Sequence, residues 1–348
     1  MEIDSIYFQV VLVSLTAYFL NYILEEKKLT DNFQFRFDEY KNQLMKLNSH
    51  AWDGDKQWPE IEGWLKNFNG RYCSEEEEQL LALHLLTNFI YFGNSTIREM
   101  LKACYQDQFI IPLKQEIRKS LDDSIDYTKI NSLLEIEIEK TLFIGAGNPS
   151  ESGAHLLYFF RQMNELSKEM FSDFYGAFYE DSQSDALIPH SANISRYVFF
   201  DDLVASGTQI TGYLKDRLAR IKIRNPDVDL QFMCLFATTT GLNALNKSEM
   251  FNGKANCLFH LDDSYKVFNE ESRNFSELKE PSLERLKEFC YCYSTYLGFN
   301  EEDKLGYKDG QLMIGFSYNT PDNTLPIFWC KHPVFWTPVF TRYNKIYS

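Results

Sequence analysis

The sequence predicts an α/β protein built on a doubly wound parallel sheet, with a helical extension before it and a further extension after it. Four apolar segments rich in β-favouring residues carry this prediction, and helical patterns alternate with them. They lie at residues 140–144, 197–200, 230–238 and 255–261. Ligands of such open sheets bind at the carboxyl ends of the strands. The loops that follow these segments are therefore the first places to look for a site.

The chain of 348 residues is long enough for this core and sizeable extensions. We expect a hydrophobic helix, a helical region, the α/β core and a C-terminal extension packed on the core, with bounds at 1–28, 29–135, 136–265 and 266–348.

The uncharged segment at residues 6–24 is long enough to cross a membrane once as a helix. Lys27 and Lys28 follow it, and basic residues after a span keep the adjoining domain in the cytoplasm. The alternative is a helix that packs on the domain or on a partner. The sequence thus indicates a cytoplasmic domain, either free or anchored to the inner membrane.

The region up to residue 135 has helical periodicity. Residues 31–48 carry mixed charge at helical spacing, and Ser74 with Glu77 forms a capping box for a helix expected to run to Tyr91. A similar start at Thr96 predicts a helix to about Ile110.

A glycine-rich loop, residues 145–153, follows the first predicted strand. Gly145 and Gly147 have the spacing of a dinucleotide-binding loop, but Gly153 is out of register for the third glycine. The loop can instead contact another anion, or it can be a plain turn in which glycine supplies a positive φ.

Two adjacent acids, Asp201 and Asp202, follow the second predicted strand, and a loop of small residues leads from them into a helical pattern. Such a loop directs backbone N–H groups at an anion, while the carboxylates can accept hydrogen bonds from sugar hydroxyls. The pattern predicts a sugar-phosphate site. An ordinary strand–turn–helix with an aspartate cap is the alternative.

Composition excludes several classes of function. The net charge of −15 and the lack of a basic stripe argue against binding of bulk nucleic acid. Seven cysteines without a Cys-x-x-Cys pair favour a reducing compartment and argue against a zinc site or a disulfide framework. Asp262 and Asp263 end a predicted strand beside His260, and we interpret them as turn residues, not metal ligands.

The run from Tyr197 to Gln209 resembles the PRPP-binding motif of type I phosphoribosyltransferases. Ser206 and Gly207 match its Thr/Ser-Gly pair. Thr208 and Gln209 stand where salvage enzymes usually carry Gly and Thr, so the side-chain contacts to phosphate differ from theirs.

The C-terminal region narrows the resemblance. The segments at 305–311, 313–317, 319–329 and 335–342 resemble the tail of a phosphoribosyltransferase-like family of prokaryotic conflict, or anti-phage defence, systems. That family also favours Gln at the position of Gln209. The likeness spans roughly residues 58–342.

This resemblance implies a site that binds PRPP, or a related ribose phosphate, with Mg²⁺. Asp201 and Asp202 would contact the ribose hydroxyls and would bind the metal directly or through a water molecule. Glu151 is a third catalytic candidate. The implied 5′-phosphate loop comprises Ala205, Ser206, Gly207, Thr208 and Gln209. The implied pyrophosphate loop comprises Gly145, Gly147, Ser152 and Gly153. Asn319 and Arg342 are further candidates for substrate contact.

The resemblance also makes residues 172–193 a mobile flap over the site. Salvage enzymes often carry a basic residue there, whereas residues 171–191 contain no Lys or Arg. Neutralisation of pyrophosphate would then depend on Mg²⁺ or on cations elsewhere, such as Arg161, Lys215 or Arg342.

The implied function is transfer of ribose 5-phosphate to an unknown acceptor with release of pyrophosphate, the work of a glycosyltransferase. A defence effector of this kind would act with partner proteins, such as the reverse transcriptase of a retron or an ATPase. The alternative is a non-catalytic sensor that binds PRPP or a nucleotide and signals to a partner.

Overall fold

The computed structural model describes residues 32–148, 152–275 and 280–343. The chain divides into two compact units, one formed by the segments up to Gly93 and from Asn274 onward, the other by Asn94–Arg273. The predicted membrane segment, residues 6–24, lies outside the described residues. Within the described part of the chain, no helix has the length and apolar character needed to span a bilayer.

The N-terminal part of the first unit is mainly helical. Its elements are α1 (residues 32–50), α2 (Trp58–Leu65), α3 (Glu75–Thr87) and the strand β1 (Ile90–Phe92). Ser74 caps α3, because its side chain accepts a hydrogen bond from the N–H of Glu77 at 3.4 Å, which is one half of the predicted capping box. The side chain of Glu77 forms an ion pair with Arg285. The helix ends at Thr87 and not at the predicted Tyr91, which lies in β1.

The second unit holds the predicted alternation of strands and helices. Its elements are α4 (Asn94–Tyr105), a π-helical turn (Gln106–Ile110), α5 (Ile111–Ser120), α6 (Tyr127–Glu139), β2 (Thr141–Gly145), α7 (Ser152–Met163), β3 (Phe171–Ser172), α8 (Phe174–Ala177), β4 (Phe178–Glu180), β5 (Leu187–Pro189), β6 (Arg196–Val204), α9 (Thr208–Arg224), β7 (Asp229–Thr238), α10 (Thr239–Lys247) and β8 (Ala255–Leu261).

Five of these strands form one sheet in the order β3-β2-β6-β7-β8, and every neighbouring pair is parallel. This confirms the predicted α/β class with a doubly wound parallel sheet. The edge strand β3 was not predicted, since two residues carry no detectable periodicity.

Successive aromatic side chains of the central strands point to opposite faces of the sheet and pack there against other aromatic rings. Phe143 and Phe200 contact Phe160 of α7, with ring centroids 5.3 and 5.4 Å apart, on one face. On the other face, Tyr197 contacts Phe178 at 4.6 Å within a buried cluster that includes the apolar side of α9. Both faces are therefore covered by helices, as buried parallel strands require.

The C-terminal part of the first unit contains α11 (Leu283–Tyr296), β9 (Ile314–Phe316) and α12 (Pro326–Trp329). The strand β9 pairs in parallel with β1, and Ile90 lies opposite Ile314. The N-terminal and C-terminal segments of the chain thus form the first unit together. The helices from Asn94 onward belong to the second unit, which contains the five-stranded sheet. The bounds of these compact units lie at 93/94 and 273/274, and the division expected at 135/136 and 265/266 stays a prediction.

A charge network lies at the amino-terminal ends of β6 and β7, opposite the edge where ligands are expected. The buried Arg196 donates to Asp229 at 2.7 Å and lies 3.4 Å from a carboxylate oxygen of Glu137. Burial by itself would raise the pKa of Asp229, but hydrogen bonds from Lys254 and Arg196 bring that pKa below its ordinary value. The resulting stabilisation is present above pH ~4 and is lost as the pH falls through the lower folded-state pKa.

Arg196→Lys is expected to lower the free energy of unfolding by about 1–2 kcal/mol, because one ammonium group cannot replace a planar guanidinium that reaches two acids. Chemical denaturation measures this difference. Arg118→Lys is the matched control, since its ion pair with Asp123, at 3.8 Å, is exposed, and we expect it to change stability by less than about 0.5 kcal/mol. Equal effects of the two substitutions would contradict the assigned role of Arg196.

Candidate functional site

The two acids lie within the last part of β6, in the middle of the sheet. The strand runs on to Val204, past the predicted end at Phe200, and Asp201 pairs in register with Cys234 of β7. The acids therefore belong to the strand's carboxyl end and do not follow it, which corrects the sequence-based boundary. Hydrogen-bonded pairing with β7 keeps residues 201–204 in the strand, although the apolar run of β6 ends at Phe200.

Backbone hydrogen bonds fix the orientation of both carboxylates. Asp201 is 7% exposed, and its Oδ1 accepts the N–H of Asp202 at 2.9 Å. Oδ1 of the half-buried Asp202 accepts the N–H of Leu203 at 2.8 Å. Among the described residues, Oδ2 of Asp202 makes no hydrogen bond and is available to a ligand. Burial raises the pKa of Cys234, so its thiol stays protonated beneath the acids and is no nucleophile at neutral pH.

The predicted phosphate loop leads directly from β6 into α9. Gly207 adopts φ +71°, a left-handed conformation that favours glycine, and it caps the 17-residue helix α9. Ser206 donates its hydroxyl hydrogen to Oγ1 of Thr208 at 3.0 Å. The first N–H groups of a helix have no partner within the helix and carry partial positive charge. The loop therefore offers the anion-binding arrangement expected from the sequence.

Two residues that the sequence did not single out support this loop, one at the end of β7 and one in α10. The hydroxyl of Thr238 donates to the carbonyl of Ala205 and accepts the N–H of Gly241 at 3.0 Å. A Cβ atom at Gly241 would lie 2.5 Å from the Ala205 oxygen and 2.6 Å from the Val204 oxygen. Only glycine allows α10 to approach the loop so closely. Thr238 is a recognisable N-cap, but its contact with the loop has no local signal.

The glycine-rich loop lies beside the acids. The N–H of Ala146 donates to the carbonyl of Phe200 at 2.8 Å. A Cβ atom at Gly153 would lie 2.6 Å from the same carbonyl oxygen and 3.3 Å from Oδ1 of Asp201. The start of α7 thus packs directly against the acid pair.

The predicted residues of this loop fall at the end of β2 and the start of α7. Gly145 ends the strand, Gly147 has φ +128°, and Ser152 is the first residue of the helix. Glu151, the predicted catalytic candidate, lies outside the described residues. The structure therefore brings together the acids, the loop that starts α9 and the described ends of the glycine-rich loop, while the role of Glu151 stays a prediction.

The segment expected to be a flap has regular structure. It consists of α8 and a two-stranded antiparallel ribbon of β4 and β5, and Phe174 and Phe178 are buried in the core cluster. Three arginines of α9 hold it. They are Arg217, stacked on the Phe174 ring at 5.0 Å, Arg220, paired with Glu180 at 3.2 Å and Asp185 at 3.0 Å, and Arg224, paired with Asp181 at 3.0 Å. The segment has no Lys or Arg between residues 171 and 191, and its acids are paired with arginines of α9.

The acid pair fits Mg²⁺ bound together with a substrate. Carboxylate oxygens are hard ligands, and Mg²⁺ in proteins is commonly held by one or two of them with water and substrate phosphate. Over the described ranges, no three His, Cys, Asp or Glu side chains form a group that could enclose a metal by themselves. Asp201 and Asp202 suit this shared kind of site and not a metal cage built from protein alone.

Asn319 and Arg342 lie in the first unit, where both have structural partners. Arg342 donates to the carbonyl of Thr320 at 2.7 Å and to Asp322 at 2.8 Å. Oδ1 of Asn319 accepts the N–H of Tyr343 at 3.1 Å. These bonds hold the C-terminal turn, and a substrate contact of either residue stays a prediction.

Comparison with known proteins places this geometry in a family. The solved structure of Helicobacter pylori xanthine-guanine-hypoxanthine phosphoribosyltransferase is similar at 13% sequence identity and a TM-score of 0.25, over 50% of this chain and 86% of that chain. No curated protein matches the chain. The model of the PRTase-CE family matches residues 61–342. Because that match covers most of its length, the chain belongs to the PRTase-CE family of phosphoribosyltransferase-like proteins.

Proposed function

We propose that the protein binds PRPP with Mg²⁺ and transfers its ribose 5-phosphate to an acceptor, releasing pyrophosphate. The observation that carries this proposal is the meeting of three features at the carboxyl ends of β2 and β6. These are the acid pair, the left-handed loop that starts α9, and the start of α7, which packs against Asp201. Family membership supports the same class of reaction.

Each feature suits one part of the donor. Asp201 and Asp202 accept hydrogen bonds from the 2′- and 3′-hydroxyls of the ribose. The backbone N–H groups of residues 206–209 hold the 5′-phosphate at the positive end of α9. Gln209 adds an amide where other phosphoribosyltransferases carry a hydroxyl, so backbone contacts dominate this loop. Gly145, Gly147, Ser152 and Gly153 are assigned to the pyrophosphate.

In the reaction, the bond from C1′ to the pyrophosphate oxygen breaks, and its electron pair leaves with pyrophosphate. The acceptor forms the new bond to C1′ and gives its proton to solvent. Positive charge develops on the ribose and negative charge on the leaving group, so the site must stabilise both. The carboxylates serve the first need, and the loop amides serve the second. Bound Mg²⁺ supplies further neutralisation of the phosphates.

We extend the proposal to a role in anti-phage defence. Its support is the likeness of the C-terminal segments between residues 305 and 342 to phosphoribosyltransferase-like proteins of conflict systems. An effector of this kind would modify its acceptor when a partner protein, such as a reverse transcriptase or an ATPase, signals infection. Bulk nucleic acid is a poor partner for a chain of net charge −15.

A second candidate function is a sensor that binds PRPP without turning it over. The observation that favours it is the pairing of Arg220 and Arg224 with acids of the ribbon. These guanidinium groups are engaged with the ribbon, and residues 171–191 themselves contain no Lys or Arg, whereas salvage enzymes often present a basic residue there to the leaving pyrophosphate. A site that holds the donor but stabilises the leaving group poorly would report on PRPP and signal to a partner.

Two measurements on the wild-type protein separate these functions. Calorimetric titration with PRPP in the presence of Mg²⁺ measures binding, and a coupled assay measures pyrophosphate release with a panel of nucleobases and nucleotides. We expect binding together with acceptor-dependent release. Binding without release across the panel would favour the sensor, and absence of PRPP binding would overturn both proposals.

A further inference from the structure

A cavity of about 350 Å³ lies in the second unit, next to the glycine-rich loop. Gly145 and Gly147 border it at the carboxyl end of β2, and Ser172 and Asp173 border it at the end of the edge strand β3. Its volume is at the lower end of the range that holds small molecules. The cavity is too small for a folded protein segment or an oligonucleotide, so its occupant is a single small ligand.

The cavity has two chemically different ends. Ala154, Leu157, Tyr158 and Arg161 line it at helical spacing, so one face of α7 forms its wall. Arg161 follows Ala154 by two turns, about 10 Å along the helix axis. Because the helix of a parallel βαβ unit runs back along the sheet, Arg161 is anchored away from the carboxyl edge. Lys168, which precedes β3, is anchored on the same side.

Arg161 and Lys168 give the cavity an unbalanced positive charge. Among the described residues, neither side chain forms an ion pair or a hydrogen bond. The acid that lines the cavity, Asp173, is already engaged, since its Oδ1 accepts the N–H of Gly176 at 2.7 Å as the cap of α8. The guanidinium of Arg161 lies 5.9 Å from the ring centre of Tyr158, and Lys168 is exposed. Two cations without a carboxylate partner at one end of a small cavity favour a ligand that carries a negative group.

Aromatic rings line the remaining wall. Tyr213 of α9 and Tyr175 hold the guanidinium of Arg217 at 4.1 and 5.7 Å from their ring centres, which fixes the position of both rings. Tyr158 is 54% exposed and Tyr175 is 69% exposed, so both rings have surface available for a planar partner. Bases of any sequence can stack on such tyrosines, because every base has a planar π face. The wall therefore favours a planar heteroaromatic ring.

We propose that this cavity is the acceptor site and that it takes a nucleoside monophosphate. The ring stacks on the tyrosines, and the phosphate lies on Arg161 and Lys168. The proposal rests on the proposed function, because the ring is then presented toward the edge where the donor's C1′ is placed. A nitrogen of the ring forms the bond to C1′ as pyrophosphate leaves, and the proton given to solvent comes from that nitrogen in a uracil ring or from the exocyclic amino group in an adenine ring.

The proposal is tested by titrating the full chain, without PRPP, with AMP and UMP and with the matched nucleosides adenosine and uridine. At least one monophosphate is expected to bind tenfold or more tightly than its nucleoside. The double variant R161Q/K168Q is expected to remove this preference. Tyr158→Ala weakens the monophosphate and its nucleoside to a similar degree.

Lys119→Gln is the matched control, since Lys119 is exposed on α5 and does not line the cavity. Equal affinities for monophosphates and nucleosides in the wild type would overturn the proposal. It would also be overturned if R161Q/K168Q weakened PRPP and pyrophosphate but not the monophosphate, because the two cations would then serve the leaving group. Since PRPP binding is measured separately, failure here is distinguishable from failure of the proposed function.

Discussion

Asp202→Asn is expected to lower the affinity for PRPP about tenfold to hundredfold while changing the free energy of unfolding by less than about 0.5 kcal/mol. A hydrogen bond to a charged acceptor contributes about 1.5–3 kcal/mol, which corresponds to that range of affinity. Asparagine keeps the shape, and its Oδ1 can still accept the N–H of Leu203. The substitution therefore removes charge from the ligand side and leaves the strand intact. Calorimetric titration with PRPP and Mg²⁺ measures the first effect, and chemical denaturation measures the second.

Asp216→Asn serves as its control. Asp216 is exposed on α9, and no described residue forms an ion pair or a side-chain hydrogen bond with it. The Asp216→Asn substitution removes one negative charge from the same unit, so any general effect of net charge on PRPP binding is the same in both variants. We expect the affinity of Asp216→Asn to stay within about twofold of wild type. If Asp202→Asn bound PRPP as tightly as this control, the acid pair would not be the ribose site.

Gly241→Ala is expected to lower the free energy of unfolding by about 3 kcal/mol and to weaken PRPP binding at least tenfold. The added methyl group would meet the carbonyl oxygens of Val204 and Ala205 at 2.6 and 2.5 Å. Backbone atoms of a loop wedged between β6 and α9 cannot move away without distortion, and overpacking of this kind costs about 1–3 kcal/mol. The distortion falls on the loop that is assigned to the 5′-phosphate, so stability and affinity fall together.

Gly212→Ala provides the matched glycine control. Gly212 lies within α9, and a Cβ atom there would meet nothing within 4 Å. Alanine in a helix interior stabilises by about 0.5–1 kcal/mol relative to glycine, so the control is expected to raise stability and leave PRPP affinity unchanged. Thr238→Val adds no volume but removes the hydroxyl that bonds both Ala205 and the N–H of Gly241, so it tests the same support without overpacking. A Gly241→Ala protein with wild-type stability and affinity would refute the support assigned to α10.

The sheet was largely predictable from sequence because its strands are buried on both faces and are uniformly apolar. The predicted strand 255–261 agrees with β8, and the predicted strands 230–238 and 140–144 differ from β7 and β2 by one residue. The end of β6 was misplaced at Phe200, since two charged residues interrupt the apolar run although pairing with β7 continues to Val204. Local hydrophobicity marks a buried strand well and marks its last residues poorly.

The positions of the candidate site residues were predictable where these residues are neighbours in sequence. Asp201, Asp202 and the loop through Gln209 form one continuous segment, so strand, acids and helix start were visible as one pattern. The support from Thr238 and Gly241 was not visible, because it depends on how α10 packs against a loop more than thirty residues earlier.

The acceptor cavity was equally hidden from the sequence. Its wall combines α7, the edge strand β3, α8 and Tyr213 of α9. Four elements separated in sequence meet there only after the sheet has formed. Arg161 and Lys168 also stand alone in sequence, without the clustering that would have suggested an anion site.

The most direct test of the central claim is a crystal structure of the protein with PRPP and Mg²⁺. We expect the ribose hydroxyls to lie within hydrogen-bond distance of Asp201 and Asp202, and the 5′-phosphate to accept bonds from the backbone N–H groups of Ser206–Gln209. A donor whose 5′-phosphate lies away from this loop, or whose ribose makes no contact with the two carboxylates, would contradict the account.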